Sequence, residues 1–553
     1  MLHSPKTVVS GFSLPLLVAI TSVAFADESQ DYPDQVFWGD THVHTYLSQD
    51  AYIGGARVTP DQAYRFAKGE VVTSSGGQGA QLQRPLDFLM ISDHAENLGI
   101  IPMLAAGSVE IPDSAARRRW EAGISTLPED DDVANAATLD EYLRMTVARI
   151  QQRPAGKADF ELDESVIRNV WRDLVADAER HYDPGTFTTF VGFEWTAVDG
   201  DSKPNMIHRN VLFADGPEST TQVVPFSQFD SNDVEDLWGY LQAYEERTGG
   251  SVLAIPHNAN LSGGKSFALR RQTGAAFTKT YAETRARWEP IVEVTQLKGD
   301  GETHPLLSPD DEFADFETWP PPPGDNLVVA ALEAADKSVK EKSNKGKSKK
   351  KGSSAGNERT SYARSVLQLG LKQFDELGAN PFKFGMIGST DSHSGLAGAE
   401  EQTYWAGSEP GRYRVLIDWF DNSAGYAAVW ATENTRESLF AAMKRREVYA
   451  TTGPRMVVRF FGGWDFSSGD ADRSDAVANA YVRGVPMGGD LTAGPKGKSP
   501  CFVISAARDP KGANLERVQV IKGWQDGEGK LHEKVFDVAL TANRAVGDKQ
   551  LAT

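Results

Sequence analysis

The stretch from Val36 to Ile91 decides the reading of the fold. VFWGDTHVH at 36–44 is a short apolar run closing on polar residues, TPDQAYRF at 59–66 opens a helix at Thr59-Pro60-Asp61, and DFLMI at 87–91 is a second apolar run. Strand, helix and strand in that order is the pattern of a βα unit with parallel strands. The same shape returns at Thr188–Glu194, Ser251–Pro256, Ile291–Thr295, Phe384–Ser389 and Tyr426–Ala431. Short strands spread over so much of a 553-residue chain predict an α/β barrel with large insertions.

Outward from these strands the texture changes. Residues 100–165 are rich in Arg, Glu and Ala and read as a helical covering insertion. Pro320–Pro323 is a polyproline stop, and the Lys-rich segment 336–358 holds too few apolar side chains to order itself, so it reads as a solvated loop; recruitment of an acidic partner or of lipid headgroups is the other reading of its lysines. TRESLFAAMKRRE after Asn434 is helical, and beyond Arg455 alternating runs separated by Gly, Asp and Lys turns predict a small antiparallel β subdomain at 455–545. The one ligand-type residue there, His532, lies in a turn-rich stretch and reads as a surface residue. At the other end, Lys6, the apolar run Gly11–Phe25 and Ala24-Phe25-Ala26 form a signal peptide over 1–26, cleaved after Ala26, which predicts a periplasmic or secreted protein. The run is shorter than the roughly 20 residues of a membrane-spanning helix, and stable membrane insertion after cleavage is not expected.

The formal charge of −20 repels nucleic acid phosphates. A buried polycation reverses such a potential locally, which leaves small anionic substrates open. Cys501 is the single cysteine, so an intramolecular disulfide and a thiolate zinc cluster are both excluded, and metal ligands must be His and carboxylate.

Of ten histidines, six stand in short polar motifs at the ends of predicted strands. These are His42 and His44 in GDTHVH, His94 in ISDHAE, His208 in MIHRN, His257 in PHN and His393 in GSTDSH, with Glu194 in GFEW and Asp391 two residues before His393. Residues i and i+2 of an extended segment share a side, so each HxH or DxH pair can reach one ion. Any single motif also reads as a core histidine with a satisfied hydrogen bond; the set, gathered at strand ends of a barrel, reads as a metal site.

The order HxH, DH, GFE, H, PH, DxH resembles the PHP superfamily, named for polymerase and histidinol phosphatase domains, and within it the DUF3604 branch, from about Phe37 to Arg455. The resemblance implies a distorted (β/α)7 barrel over 36–454 that holds two or three divalent metal ions, Mn, Fe or Zn. It implies His42, His44, Glu194 and Asp391 on a first metal, Glu194 bridging to a second held by His208 and His257, and His94, His393 and the residue six places after the HxH motif on a third. That residue is often His in the family and is Asp50 here, which hardens the site toward manganese or iron. Asp93 and Asp40 are expected to orient imidazoles, Glu96 to transfer protons and Arg209 to hold a substrate oxyanion, each against the plainer reading of a strand-end hydrogen bond or salt bridge. Glu293, Glu302 and His304 follow another strand and read as loop residues more readily than as a cleft lining.

The activity so implied is hydrolysis of a small anionic ester, a phosphate mono- or diester, by water activated between metal ions. The alternatives are sulfate ester hydrolysis on the same site, amide or lactone hydrolysis, for which a carboxylated Lys signature is lacking, and a noncatalytic scaffold whose β tail docks a glycan or partner. No CxPxR segment is present, so a formylglycine sulfatase is excluded.

Overall fold

The computed structural model describes residues 32–125, 160, 162–199, 205–319, 358–400, 403–405, 421–492 and 494–541. The expected signal peptide, the polyproline stop and the Lys-rich loop up to residue 357 lie outside the described residues. The body strands are β1 (Gln35–Val43), β2 (Phe88–Ile91), β3 (Thr188–Trp195), β4 (Arg209–Phe213), β5 (Val252–Pro256), β6 (Ile291–Gln296), β7 (Gly385–Gly388), β8 (Tyr426–Ala431) and β9 (Val448–Thr451). Their helices are α1 (Gln49–Gly54), α2 (Pro60–Ala67), α3 (Ile100–Ala105), α4 (Ala115–Ser125), α5 (Glu164–His181), α6 (Val234–Thr248), α7 (Lys279–Trp288), α8 (Ala363–Leu377) and α9 (Arg436–Arg445).

Helix α2 begins where its sequence says. Thr59 Oγ1 accepts from Gln62 N while the Gln62 side chain accepts from Thr59 N, and Pro60 fills the first turn, where no amide donor is needed. Helix α5 turns Trp171, Leu174, Val175 and Ala178 toward the core at the spacing of one helix face.

Seven strands form one sheet in the order β9-β8-β1-β2-β3-β4-β5, and β6 and β7 belong to a second, smaller one. The chain is therefore a mixed α/β protein, and the expectation of uniformly parallel strands is corrected. β1-β2, β2-β3 and β6-β7 are parallel, whereas β3-β4, β4-β5, β1-β8 and β8-β9 are antiparallel. The cause of the first reversal is local: the link after β3 folds back as a ribbon of Val198–Asp199 with Asn205–Met206, so the chain returns as a hairpin without a crossover helix.

Strand side chains alternate between two cores. Leu89, Val191, Phe193, Val211 and Phe213 belong to the helix-covered core with Trp171 and Tyr244. Phe37, Phe88, Met90, Phe190, Leu212, Leu253, Ile255, Ile291, Ile387 and Val429 form the other, so both sheets face a common interior, closed at one end by Leu439, Phe440 and Met443 of α9. A satellite core of Ile53, Ile100, Leu104, Trp120 and Phe160 packs α1 against α3 and α4, which belong to the described part of the covering insertion.

The C-terminal stretch is antiparallel. β10 (Val457–Gly463) pairs with β11 (Gly484–Pro486) and β12 (Cys501–Ala507), while β13 (Arg517–Gln525) and β14 (Leu531–Leu540) form a hairpin. Asp509 ties it to the body through a bidentate pair with Arg84 at 2.9 and 2.7 Å. His532 stacks on Trp524 and pairs with Asp526 at 2.6 Å, far in role from any ligand set.

Gly388 ends β7 where the two sheets meet: a Cβ there would stand 2.8 Å from Tyr426 O and 3.0 Å from Thr451 O. Gly388→Ala is expected to cost about 1–3 kcal/mol in denaturant unfolding, while Gly239→Ala, on an open face of α6 with nothing within 4 Å, should be neutral or stabilising. Equal midpoints for the two variants would contradict this junction.

Candidate metal centre

The alternation that builds the interior also aims the motifs. On β3, Glu194 follows Phe190 and Gly192 on the inner face; His257 follows Leu253 and Ile255 of β5, Glu293 follows Ile291 of β6, and Asp391 follows Ile387 of β7 by two steps of two. β4 runs the other way, so His208 stands before its first residue, inner by the same count from Leu212 and Asn210. His208 thus reaches the same rim as the C-terminal ends of β3 and β5 because its strand is reversed. On β1 the ladder slips between Asp40 and Val43. This bulge flips the alternation, sending Val43 to the outer core and both imidazoles of the HxH motif inward.

All nine expected ligands converge. Glu194 Oε2 lies 3.5 Å from His42 Nε2, 3.3 Å from His44 Nε2 and 3.0 Å from His94 Nδ1. Its Oε1 lies 2.8 Å from His208 Nδ1 and 3.0 Å from His257 Nε2. Asp391 Oδ1 is 3.2 Å from both His42 Nε2 and His44 Nε2. Asp50, at the start of α1, places Oδ2 2.9 Å from His94 Nε2 and 3.1 Å from His393 Nε2. For metal–ligand bonds of about 2.1 Å, neighbouring ligand atoms sit roughly 3.0–3.4 Å apart, the spacing seen here. His42 Nε2, His44 Nε2, Glu194 Oε2 and His208 Nε2 are buried and lack hydrogen-bond partners. Buried polar atoms left in that state are costly, so the donor set fits divalent ions on chemical grounds.

Hydrogen bonds at the far side of the two HxH rings, from His42 Nδ1 to Glu293 and from His44 Nδ1 to Ser48, fix which nitrogen faces inward. Asp93 accepts from Thr45 N, Thr45 Oγ1 and Ser48 Oγ at 2.6, 2.7 and 2.9 Å, and Ser48 Oγ in turn lies 2.8 Å from His44 Nδ1. With its hydroxyl proton given to Asp93, Ser48 accepts from His44 Nδ1 and leaves Nε2 as the ligand atom of the neutral ring. Asp40 accepts from His42 N at 2.9 Å and from Thr390 Oγ1 at 2.6 Å. Burial pushes Asp40 up to about 7 and Asp93 up to about 6, against the bonds that favour their charged forms.

Burial opposes charge on Glu194 too, but the imidazoles of His94, His257 and His208 hold its carboxyl well below the ordinary range. His42 is lifted well above the usual histidine value because Asp391 and Glu293 outweigh burial, and His44 is held well below it by burial and by His393 and His94.

One expected participant is placed differently. Arg209 follows His208 and so points to the opposite face; its guanidinium is buried, bonded to Glu289 at 2.9 Å and to the carbonyls of Ile207, His208 and Ser266. Glu96 is wholly buried, with Oε1 accepting from Gln228 N at 2.7 Å and Oε2 without a partner. Glu293, read as a loop residue, is instead an inner-face residue of β6 whose carboxylate lies 3.0 Å from His42 Nδ1. A glutamate inside the apolar run IVEV was the signal for it. Glu302 and His304 do keep loop roles, on Arg364 and on Leu306 N. Lys298, absent from the sequence reading, bonds to Asp391 Oδ2; three residues beyond Thr295 in a turn, nothing in its spacing marked it.

The family model of DUF3604, a protein of unknown function, matches residues 31–552, so the match includes the β tail as well as the strand-end motifs. No curated protein matches the chain. Among solved structures, a two-domain protein from Bacteroides vulgatus, described as containing a predicted PHP-like metal-dependent phosphoesterase, aligns over 92% of this chain and 97% of its own, at 9% identity and a TM-score of 0.29.

Because Glu194 serves two groups of ligands and Asp50 one, Glu194→Ala is expected to lose at least two metal equivalents by elemental mass spectrometry and Asp50→Ala at most one; unchanged content in Glu194→Ala would remove the centre. Glu293→Gln should keep the fold and weaken metal binding by about 10–100-fold, read by competition with a chromophoric chelator.

Proposed function

The chain belongs to the DUF3604 family, and on that premise we propose that it is an exported divalent-metal-dependent hydrolase of phosphate mono- or diesters. The observation that carries the reading is the Glu194 carboxylate, buried and set among five imidazoles with ligand atoms left over. When bound, divalent ions supply Lewis-acid polarisation of an ester oxygen and a water acidified toward neutral pH.

The residues do the rest. Glu194 separates two ligand groups with its two oxygens, and Asp391 and His393 close the side toward Asp50. Glu293 and the Asp93–Ser48 pair hold His42 and His44 in one tautomer. Lys298 brings a positive charge to the rim beside Asp391, where an ammonium donates to a phosphoryl oxygen as well as to a carboxylate. Asp93 is a positioning residue, and Glu96 Oε2 is the buried carboxylate oxygen two residues beyond His94 that is left free to hold a proton. A (β/α)7 barrel in which the body strands enclose this site agrees with their common interior core. Export rests on the Lys6, Gly11–Phe25 and Ala26 pattern; among the described residues no helix is long and apolar enough to cross a membrane.

Protein purified without chelator and supplied with manganese is expected to cleave an aryl phosphate or a bis-aryl phosphate faster than an aryl sulfate, and His257→Ala to lose at least about 100-fold in kcat/KM. Preference for the sulfate would replace the substrate class. A metal-loaded protein inert on all three would leave the noncatalytic scaffold standing.

A further inference from the structure

The turn that follows β6 is clamped on both sides of Lys298. Leu297 N donates to Thr390 O at 3.1 Å, and Asn422 N donates to Leu297 O at 2.8 Å. Lys298 N donates to Gln296 Oε1 at 2.7 Å, and Lys298 O accepts from Asn260 Nδ2 at 3.0 Å. Gln296 Nε2 in turn donates to Asn258 Oδ1 at 2.5 Å, and Asn258 directly follows His257. Gly299 closes the turn at a φ of 94°, where a Cβ would stand 2.7 Å from Glu317 O. The backbone of Lys298 is therefore tied to the two segments that carry His257 and Asp391.

Its ammonium has an equally definite place. It bonds to Asp391 Oδ2, while Asp391 Oδ1 lies 3.2 Å from both His42 Nε2 and His44 Nε2. Among the described residues Asp391 is its only hydrogen-bond partner, and the side chain keeps 23% of its surface open. An ammonium has three donors, so one bond to Asp391 leaves two beside the ligand set. Lysine receives phosphoryl oxygens as a compact point charge, for which the number of terminal oxygens and their charge matter more than a planar fit.

We propose that Lys298 selects phosphate monoesters over diesters by receiving terminal oxygens of the dianionic phosphoryl group, with Asn260 and Gln296 as its positioning residues. The inference rests on the hydrolase reading and narrows its substrate class. A monoester carries close to two negative charges above its second ionisation at about 6. A second ester bond removes one of those charges and one terminal oxygen, and attraction to an ammonium falls with the charge. Divalent ions favour the dianion as well, so the share due to Lys298 is read by removing the lysine.

The test is calorimetric titration of the manganese-loaded full chain, freed of excess metal, with inorganic phosphate and with diethyl phosphate in alkaline buffer. Beside it, kcat/KM is measured on an aryl phosphate and a bis-aryl phosphate. Wild type is expected to bind phosphate the more tightly. In Lys298→Gln, phosphate binding should weaken at least about tenfold and diethyl phosphate binding less than about threefold. The monoester-to-diester ratio of kcat/KM should fall at least about tenfold with it, at unchanged manganese content by elemental mass spectrometry. Asn260→Ala should move the same ratio in the same direction by about threefold, mainly through KM. Equal wild-type affinity for the two anions, equal weakening of both in Lys298→Gln, or loss of manganese from that variant overturns the proposal and leaves Lys298 as a partner of Asp391 alone. A wild type inert on both esters sinks the hydrolase reading instead; a preference for phosphate that depends on Lys298 then still supports the dianion receptor, and a missing preference removes it too.

Discussion

A carboxylate with almost no water to solvate it, Glu194, is the group around which the molecule is arranged. An isolated buried charge costs several kcal/mol, and five imidazoles from β1 and from the ends of β2, β4 and β5 gather to offset it. That gathering requires four strands to present the same rim, which in turn requires the apolar floor of Phe190, Met90, Leu212 and Ile255 beneath. Site and fold are thus one constraint: the inner-face alternation that buries the floor also lifts the ligands above it.

Around the ligands a second set of bonds removes rotational freedom. Ser48, Asp93, Thr390, Asp40 and Glu293 are all buried and each meets the ring or backbone of a ligand motif. Two non-glycine residues at this rim, Asn258 and Asp391, adopt left-handed backbone conformations with φ of 55° and 54°. Such conformations carry strain that surrounding contacts must offset; at Asp391 the contact is the sheet itself, since Ser392 accepts from His44 N at 2.8 Å and locks the DxH motif onto the HxH motif.

Much of this was readable in the sequence, and the exceptions have physical causes. The strands at 188–194, 251–256, 291–295 and 426–431 stand where apolar runs put them, because each run is buried on both faces and leaves no ambiguity with an amphipathic helix. The nine ligand types converge because motifs at strand ends have few other places to go. Strand direction was not readable: a run such as RNVLF is equally apolar read either way, and only the pairing of Val198–Asp199 with Asn205–Met206 decides that β4 returns antiparallel. Arg209 was assigned to the site by its nearness to His208, and one step along a strand is the distance that sends a side chain to the opposite face. Glu293 went the other way, read as a loop residue when its even spacing from Ile291 already placed it inward.

Charge then distinguishes this centre from one with histidine at every third-site position. Glu194, Asp391, Asp50 and Glu293 bring four carboxylates within reach of the imidazoles, against one ammonium from Lys298. Two divalent ions would balance those carboxylates and leave the lysine's charge uncompensated; a third would make the site attractive to a multiply charged anion. With histidine in place of Asp50 the same balance would be reached one charge sooner. Asp50 is also the most exposed of the ligands named, its side chain 36% accessible, so the group that sets the third site's charge is the one most open to solvent and screened most by salt. Occupancy of a third position beside Asp50 would therefore be the part of the centre most responsive to its surroundings, while Glu194 and its five imidazoles hold the remainder in place.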